Sequence, residues 1–223
     1  MKRSVLIILL ILAIILVMLA LGFKHRDKIR KRLFLKKPGK DLRSILFVGD
    51  SITAGEYCYS YLIKGLLPDK RVDVLAKGGM RTQWMVDNLK KQLQGNRYDR
   101  VYIWGGVNDM FSSVSVEKAI SNIQQMVDMV NAQGGDAFVI TGYDARTFMA
   151  DDKLKPTSHV PTKEGMIALK NRYIEFQKQL RRSINHATVV PMFDISSSMG
   201  SDGIHPNAAA HKIIAQTLLE DIR

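Results

Sequence analysis

Short, nearly unbroken apolar runs recur along the chain, each followed by a longer stretch of helical period. The first run is Ile45-Leu46-Phe47-Val48, and a continuous apolar run of this kind suits a strand buried on both faces. The pattern predicts strands at Ser44–Val48, Arg71–Ala76, Arg100–Trp104, Ala137–Thr141 and Ala187–Pro191. Between them the period changes. In Ser115–Gln133 the residues Val116, Ala119, Ile120, Ile123, Val127 and Val130 keep one helix face apolar, and Gly134-Gly135 ends it. A second helix is predicted over Lys163–Ser183, with Tyr173, Phe176, Leu180 and Ile184 on one side. A third runs from Pro206, a favourable first helical residue, to about Asp221. Strands and helices in alternation predict one α/β domain whose parallel sheet is covered on both faces. The connection from Gly142 to Thr162 contains Pro156 and Pro161 and is too long for a plain joint. Loops of that length are functional or mobile, so it is expected to be a substrate-contacting flap or a loose insertion.

The amino-terminal segment follows a different pattern. Ser4 to Phe23 carries no charge, and Val5 to Leu21 is apolar without a break. A helix of about 20 residues spans the roughly 30 Å hydrocarbon core of a bilayer. Residues 1–23 are therefore expected to be an uncleaved transmembrane anchor. A long signal peptide cut near Ala20-Leu21-Gly22 is the alternative. Residues 24–42 form a basic juxtamembrane linker that Pro38-Gly39 interrupts, and 43–223 form the folded domain. Eight Lys/Arg follow the helix against two before it, a bias that favours a cytoplasmic catalytic domain. The Met-Lys-Arg start also resembles that of exported chains, which leaves the extracytoplasmic side open.

Charge changes the picture only once it is located. The net charge is +12 over 223 residues, but residues 1–37 hold ten Lys/Arg against one acid and carry +9 of it. The remainder is mildly basic and shows no basic face interleaved with aromatics, so nucleic acid is not an expected partner. The basic linker suits anionic headgroups. The single cysteine, Cys58, excludes an intrachain disulfide, and it reads as a small core residue of the helix after Ser51.

The chemistry collects at the carboxyl ends of the predicted strands, where open α/β sheets bind ligands. Gly49-Asp50-Ser51 follows the first strand, Lys77-Gly78-Gly79-Met80-Arg81-Thr82 the second, and Gly105-Gly106-Val107-Asn108-Asp109 the third. Ser201-Asp202-Gly203-Ile204-His205-Pro206 follows the last. A serine hydroxyl needs a base to become a nucleophile, and imidazole changes charge near neutrality. Asp202, across an Asp-Gly turn from His205, is placed to orient the ring, as in an acid–His–Ser relay. Pro206 keeps His205 out of helical geometry. The Asn108 amide, the Gly79 backbone N–H and the Ser51 N–H together make a three-donor oxyanion hole.

In order and spacing these residues resemble the SGNH, or GDSL, hydrolases over about residues 43–223. Gly106-Val107-Asn108-Asp109 and Asp202-Gly203-Ile204-His205 match two blocks intact, and the first block reads Gly-Asp-Ser-Ile-Thr. The resemblance implies a three-layer α/β/α, flavodoxin-like fold with a five-stranded parallel sheet. It implies hydrolysis of an acyl ester or thioester, of a small molecule, lipid or glycan, without a metal or other cofactor. By position, Ser51 is nucleophile and first oxyanion donor, His205 the base, Asp202 its partner, and Asn108 and a loop glycine the other donors. The second block departs from the family: Ala76-Lys77-Gly78-Gly79-Met80 lacks the asparagine-led pattern. Gly78 and Gly79 both remain candidates, and Gly79, nearer the next helix, is chosen. Asp109 is expected to brace its loop.

Other groups read as structural. His25, His159, His186 and His211 lack a paired acid, Asp194 at the end of the last strand is the alternative acid to Asp202, and Tyr57, Arg81 and Trp84 border the pocket or pack. The same triad would serve an O-acyltransferase with a sugar hydroxyl as acceptor. A non-catalytic module that binds carbohydrate or lipid is a rival of another class.

Overall fold

The computed structural model describes residues 42–144, 155–156, 160–195, 198–200 and 202–222. They all fall in one compact unit, Asp41–Arg223. Five strands form a parallel sheet in the order β2-β1-β3-β4-β5: β1 is Ser44–Gly49, β2 Arg71–Ala76, β3 Arg100–Trp104, β4 Asp136–Ile140 and β5 Thr188–Val190. The helices are α1 Tyr59–Leu66, α2 Thr82–Gly95, α3 Val107–Met110, α4 Val116–Ala132, α5 Lys163–Ser183 and α6 Ala208–Ile222.

The strand order dictates the layers. From β1 the chain crosses to one side to reach β2, then returns past β1 to reach β3, and it keeps that second direction to β4 and β5. Right-handed crossovers put α1 on one face and α2, α4 and α5 on the other. The helix contacts agree: α1 packs with α6, α2 with α4, and α4 with α5. The expected three-layer α/β/α fold with five parallel strands is present. The chain reverses direction across the sheet at β1, and the loops after β1 and β3 therefore leave the carboxyl edge at the point where open α/β sheets place their ligands.

β1 lies inside the sheet with a strand on each side, which explains its unbroken apolar run: Ile45, Leu46, Phe47 and Val48 are all fully buried. Around the carboxyl half of the sheet an aromatic cluster fills the core. Trp104 lies 5.4 Å from Tyr59, 5.7 Å from Phe193 and 6.0 Å from Tyr143, ring centre to ring centre. Offset and edge contacts of this kind add to area burial and stiffen the floor under the loops.

Two boundaries differ from the sequence reading. Residues 51–58 form turns, and α1 begins only at Tyr59, so Cys58 precedes the helix instead of lying in it. Thr53 and Ser60 divert the chain there: Ser60 Oγ donates to the Thr53 carbonyl at 2.6 Å, and Thr53 Oγ1 pairs with the Tyr59 hydroxyl at 3.0 Å. The last helix begins at Ala208 instead of Pro206. Pro206 forms an antiparallel bridge with Met199, and Asn207 caps the helix through its side-chain oxygen, 3.0 Å from Ala210 N. No helix among the described residues is long and apolar enough to cross a membrane. The predicted anchor over 1–23, almost all of the linker, His25, His159 and most of the Gly142–Thr162 flap lie outside the described residues.

Candidate active site

Gly49 ends β1 where no side chain fits. A Cβ there would lie 2.1 Å from Thr53 Oγ1 and 2.9 Å from the Trp104 carbonyl oxygen. Asp50 closes the turn: its Oδ1 accepts from Ile52 N–H at 3.1 Å, and its carbonyl accepts from Thr53 and Ala54 N–H. The turn leaves Ser51 half-buried at its tip. Ser51 Oγ is 2.8 Å from His205 Nε2, and His205 Nδ1 is 2.6 Å from Asp202 Oδ2.

The loop before α6 holds those two residues by backbone bonds. Gly200 N–H donates to the His205 carbonyl at 2.7 Å, Asn207 N–H to the Ser198 carbonyl at 3.0 Å, and Gly203 N–H to the Gly200 carbonyl at 3.1 Å. Asp202 Oδ1 accepts from the N–H groups of Ile204 and His205, both at 2.9 Å. From the core, the Tyr143 hydroxyl donates to the Ile204 carbonyl. These bonds tie Asp202 and His205 to their neighbours, although the two side chains are 47% and 46% exposed.

Electrostatics shifts the two aspartates in opposite directions. Burial tends to raise Asp202, but the His205 ring and the two backbone N–H donors outweigh it and hold the carboxyl below its usual range. An ionised Asp202 can only accept, so His205 Nδ1 carries the proton and Nε2 is left to accept from Ser51 Oγ–H. Asp50 is fully buried, and its Oδ2 has no hydrogen-bond partner among the described residues. Desolvation pushes it up to about 6, against the opposing pull of Ile52 N–H and the His205 charge.

The oxyanion candidates converge from two loops. Gly106 has φ 111°, and a Cβ on it would enter the Phe176 ring at 2.3 Å. Glycine alone takes up this left-handed backbone without a steric penalty, so only glycine turns the chain from β3 into α3 and presents Asn108. One Asn108 Nδ2 hydrogen goes to the Met80 carbonyl at 3.1 Å, which leaves its second donor available. Gly79 sits with φ 75° in a turn closed by Met80 N–H on the Lys77 carbonyl at 3.3 Å. Gly78 lies against the nucleophile's side: a Cβ on it would be 3.8 Å from Ser51 Cβ. Asp109 is buried and bonded to Thr82 through both oxygens, at 2.9 Å to its N–H and 2.6 Å to its hydroxyl.

The remaining candidates lie outside this chain of contacts. Asp194 is exposed, and the acid on His205 Nδ1 is Asp202. His211 is buried, accepts from Tyr59 N–H at 3.3 Å, and is pushed down to about 4 by desolvation and the nearby His205 charge. It is thus a neutral packing residue at neutral pH. His186 is exposed, with φ 57°, and its carbonyl accepts from Asn131. Cys58 is buried, and burial with the Asp50 charge pushes its thiol up to about 11, which removes it as a rival nucleophile. Arg81 is exposed, Trp84 packs against the core, and Tyr57 is 79% exposed. Thr82, Asn122 and Tyr143 carry contacts that no local pattern announces.

A serine, an imidazole and a carboxylate in hydrogen-bonded series at the carboxyl edge of a parallel sheet, beside amide donors, have the makings of acyl transfer through a serine ester. The profile of the GDSL-like lipase/acylhydrolase family matches residues 47–213, and the chain belongs to that family, as an enzyme that hydrolyses ester bonds. No curated protein sequence matches it significantly. Several solved structures are similar. TesA is 20% identical, with 81% of this chain and 98% of that chain covered and a TM-score of 0.56. The acetylxylan esterase Axe2 from Geobacillus stearothermophilus is 18% identical, covering 84% and 96%, with a TM-score of 0.58. A member of the lipolytic G-D-S-L family from Veillonella parvula is 14% identical, covering 79% and 96%, with a TM-score of 0.60. At these identities the likeness shows the fold.

Proposed function

We propose that this enzyme cleaves an acyl ester with Ser51 as nucleophile, His205 as general base and Asp202 as the carboxylate that orients the ring. The observation that carries the reading is the continuous chain from Ser51 Oγ through His205 to Asp202, at 2.8 Å and 2.6 Å. Ser51 Oγ attacks the acyl carbonyl while its proton passes to His205 Nε2. The resulting oxyanion accepts from the Ser51 and Gly79 backbone N–H groups and from the free hydrogen of Asn108 Nδ2. Collapse breaks the ester C–O bond, the departing alcohol takes the proton from Nε2, and the acyl group stays on Ser51. Water then attacks the acyl carbonyl as Nε2 takes its proton, the bond to Ser51 Oγ breaks, and Nε2 returns the proton to Oγ as the acid leaves. Proton transfers run through Nε2 alone, because Asp202 holds Nδ1.

A fluorophosphonate probe tests this reading. One equivalent should label the purified protein and none the Ser51→Ala variant; stoichiometric labelling of the alanine variant, or parental ester turnover by it, refutes the assignment. A series of p-nitrophenyl esters from acetyl to palmitoyl then ranks acyl length. The half-exposed rim leaves room for a bulky alcohol such as a glycan or lipid headgroup, and the likeness to an acetylxylan esterase supports including acetylated sugars.

The enzyme is further proposed to be membrane-tethered through the charge-free stretch Ser4–Phe23, with the basic linker on anionic headgroups and the catalytic domain in the cytoplasm. Digestion of that domain by protease added to intact cells or spheroplasts, with a cytoplasmic marker spared, reverses the orientation. A soluble form trimmed near Gly22 removes the anchor.

A further inference from the structure

The sheet leaves the oxyanion donors without a shared strand to stand on. β2 and β3 are not neighbours, because β1 runs between them. The loop with Gly79 therefore leaves the sheet on one side of Ser51 and the loop with Asn108 on the other. A gap of this kind is where a misplacement of about 1 Å can cost on the order of 10²-fold in rate. Nothing in the strand ladder sets it.

Side chains bridge the gap. Asn108 Nδ2 donates to the Met80 carbonyl at 3.1 Å, directly after Gly79. Asp109, the next residue, grips Thr82 at both of its donors: Oδ2 accepts from the backbone N–H at 2.9 Å and Oδ1 from the hydroxyl at 2.6 Å. From α4, Asn122 Nδ2 donates to Thr82 Oγ1 at 2.9 Å. Because Thr82 Oγ1 is already accepting from Asn122, its own proton is committed to Asp109. Thr82, Asp109 and Asn122 are all buried, Thr82 and Asp109 completely. Water does not compete with such bonds, and a missing partner strands a buried polar group.

We propose that Thr82 and Asp109 form a clamp that joins the loop after β2 to the loop after β3 and thereby sets the spacing of the Gly79 and Asn108 donors. These are positioning residues, and neither touches the substrate. The inference rests on the reading of Gly79 and Asn108 as oxyanion donors. The ordinary alternative is a staple for the start of α2 that matters to stability alone.

The test is a double-mutant cycle on the purified full-length protein with a p-nitrophenyl ester that the parent cleaves. Thr82→Val keeps the shape and removes the hydroxyl; Thr82→Ser keeps the hydroxyl. The valine variant should lose about 10- to 100-fold in kcat with KM nearly unchanged, and the serine variant should recover most of it. In an Asn108→Ala background, Thr82→Val should cost far less, because the donor it positions is already gone. Parental kcat in Thr82→Val, or the same loss in both backgrounds, overturns the clamp. If Thr82→Val loses its cooperative thermal transition, Asp109→Asn, which keeps one acceptor, takes its place in the same cycle. Ser51→Ala is run alongside. Its inactivity with an unaffected Thr82→Val overturns the clamp alone, whereas its activity overturns the catalytic reading beneath it.

Discussion

The rim and the floor of the site each carry an aspartate near His205, and the two are held by opposite means. At the rim, Asp202 is nearly half exposed and its oxygens take three donors: the His205 ring and the N–H groups of Ile204 and His205. At the floor, Asp50 is fully buried, and among the described residues its carboxyl accepts from Ile52 N–H while Oδ2 stays unpaired. The first carboxyl is held below its usual range; desolvation pushes the second up to about 6. Depth raises Asp50 and donors outweigh it at Asp202, and a low-lying carboxylate is what an imidazole needs while it carries a second proton. The rim works in water because its bonds are short and local. The floor and the Thr82–Asp109 clamp work by exclusion of water.

The largest expected effect breaks the rim at its centre. His205→Ala removes the base, and kcat should fall by about 10⁶-fold with the far-UV spectrum unchanged, as measured by stopped assay on the cleaved ester. A loss under about tenfold would mean another base serves Ser51. Asp202→Asn keeps the shape but can offer Nδ1 a donor instead of a charge, so the ring takes the wrong tautomer; about 10⁴-fold in kcat should go. If Asp194 were the working acid, this variant would stay near parental activity. Smaller again is Asn108→Ala, which removes one oxyanion donor and should cost about 10²–10³ in kcat. A rise in KM at constant kcat would turn Asn108 into a substrate-binding residue.

The smallest effect probes the floor, through stability. The folded Asp50 binds its proton more tightly than the unfolded chain, whose value is 3.8. Its contribution to stability is therefore fully present below that value and is lost as pH rises through about 6. Asp50→Asn removes this dependence. Relative to the variant, the parent should lose about 2 kcal/mol between about pH 4.5 and about pH 8, read by urea denaturation. Parallel stability curves for the two proteins would show that Asp50 keeps no raised pKa.

Sequence pattern located β1, β3 and β4 well because these inner strands are buried along nearly their whole length and leave apolar runs, whereas the edge strands β2 and β5 are only partly buried. The helix boundaries at Tyr59 and Ala208 were less visible. Turns closed by Thr53, Ser60 and Asn207 compete with helix locally, and a tertiary bridge draws Pro206 to Met199. Ser51, Asn108, Asp202 and His205 stood out because each follows an apolar run within a short glycine-containing turn. Thr82 did not, since a threonine at a helix start is ordinary; its partner Asp109 is 27 residues away.

By itself, then, the sequence determined the alternation of strands and helices, the candidate reacting groups and the strand ends that carry them. These are local properties, written in burial period and turn chemistry. It also set the charge-free stretch of bilayer length before the domain. Tertiary structure decided what spans distance in the chain: that His205 Nε2 meets Ser51 Oγ across 154 residues, that Asp202 is lowered while Asp50 is raised, and that the loops of Gly79 and Asn108 are joined through Met80 and Thr82. Those outcomes depend on desolvation and on donors supplied by other elements, which no local window of sequence contains.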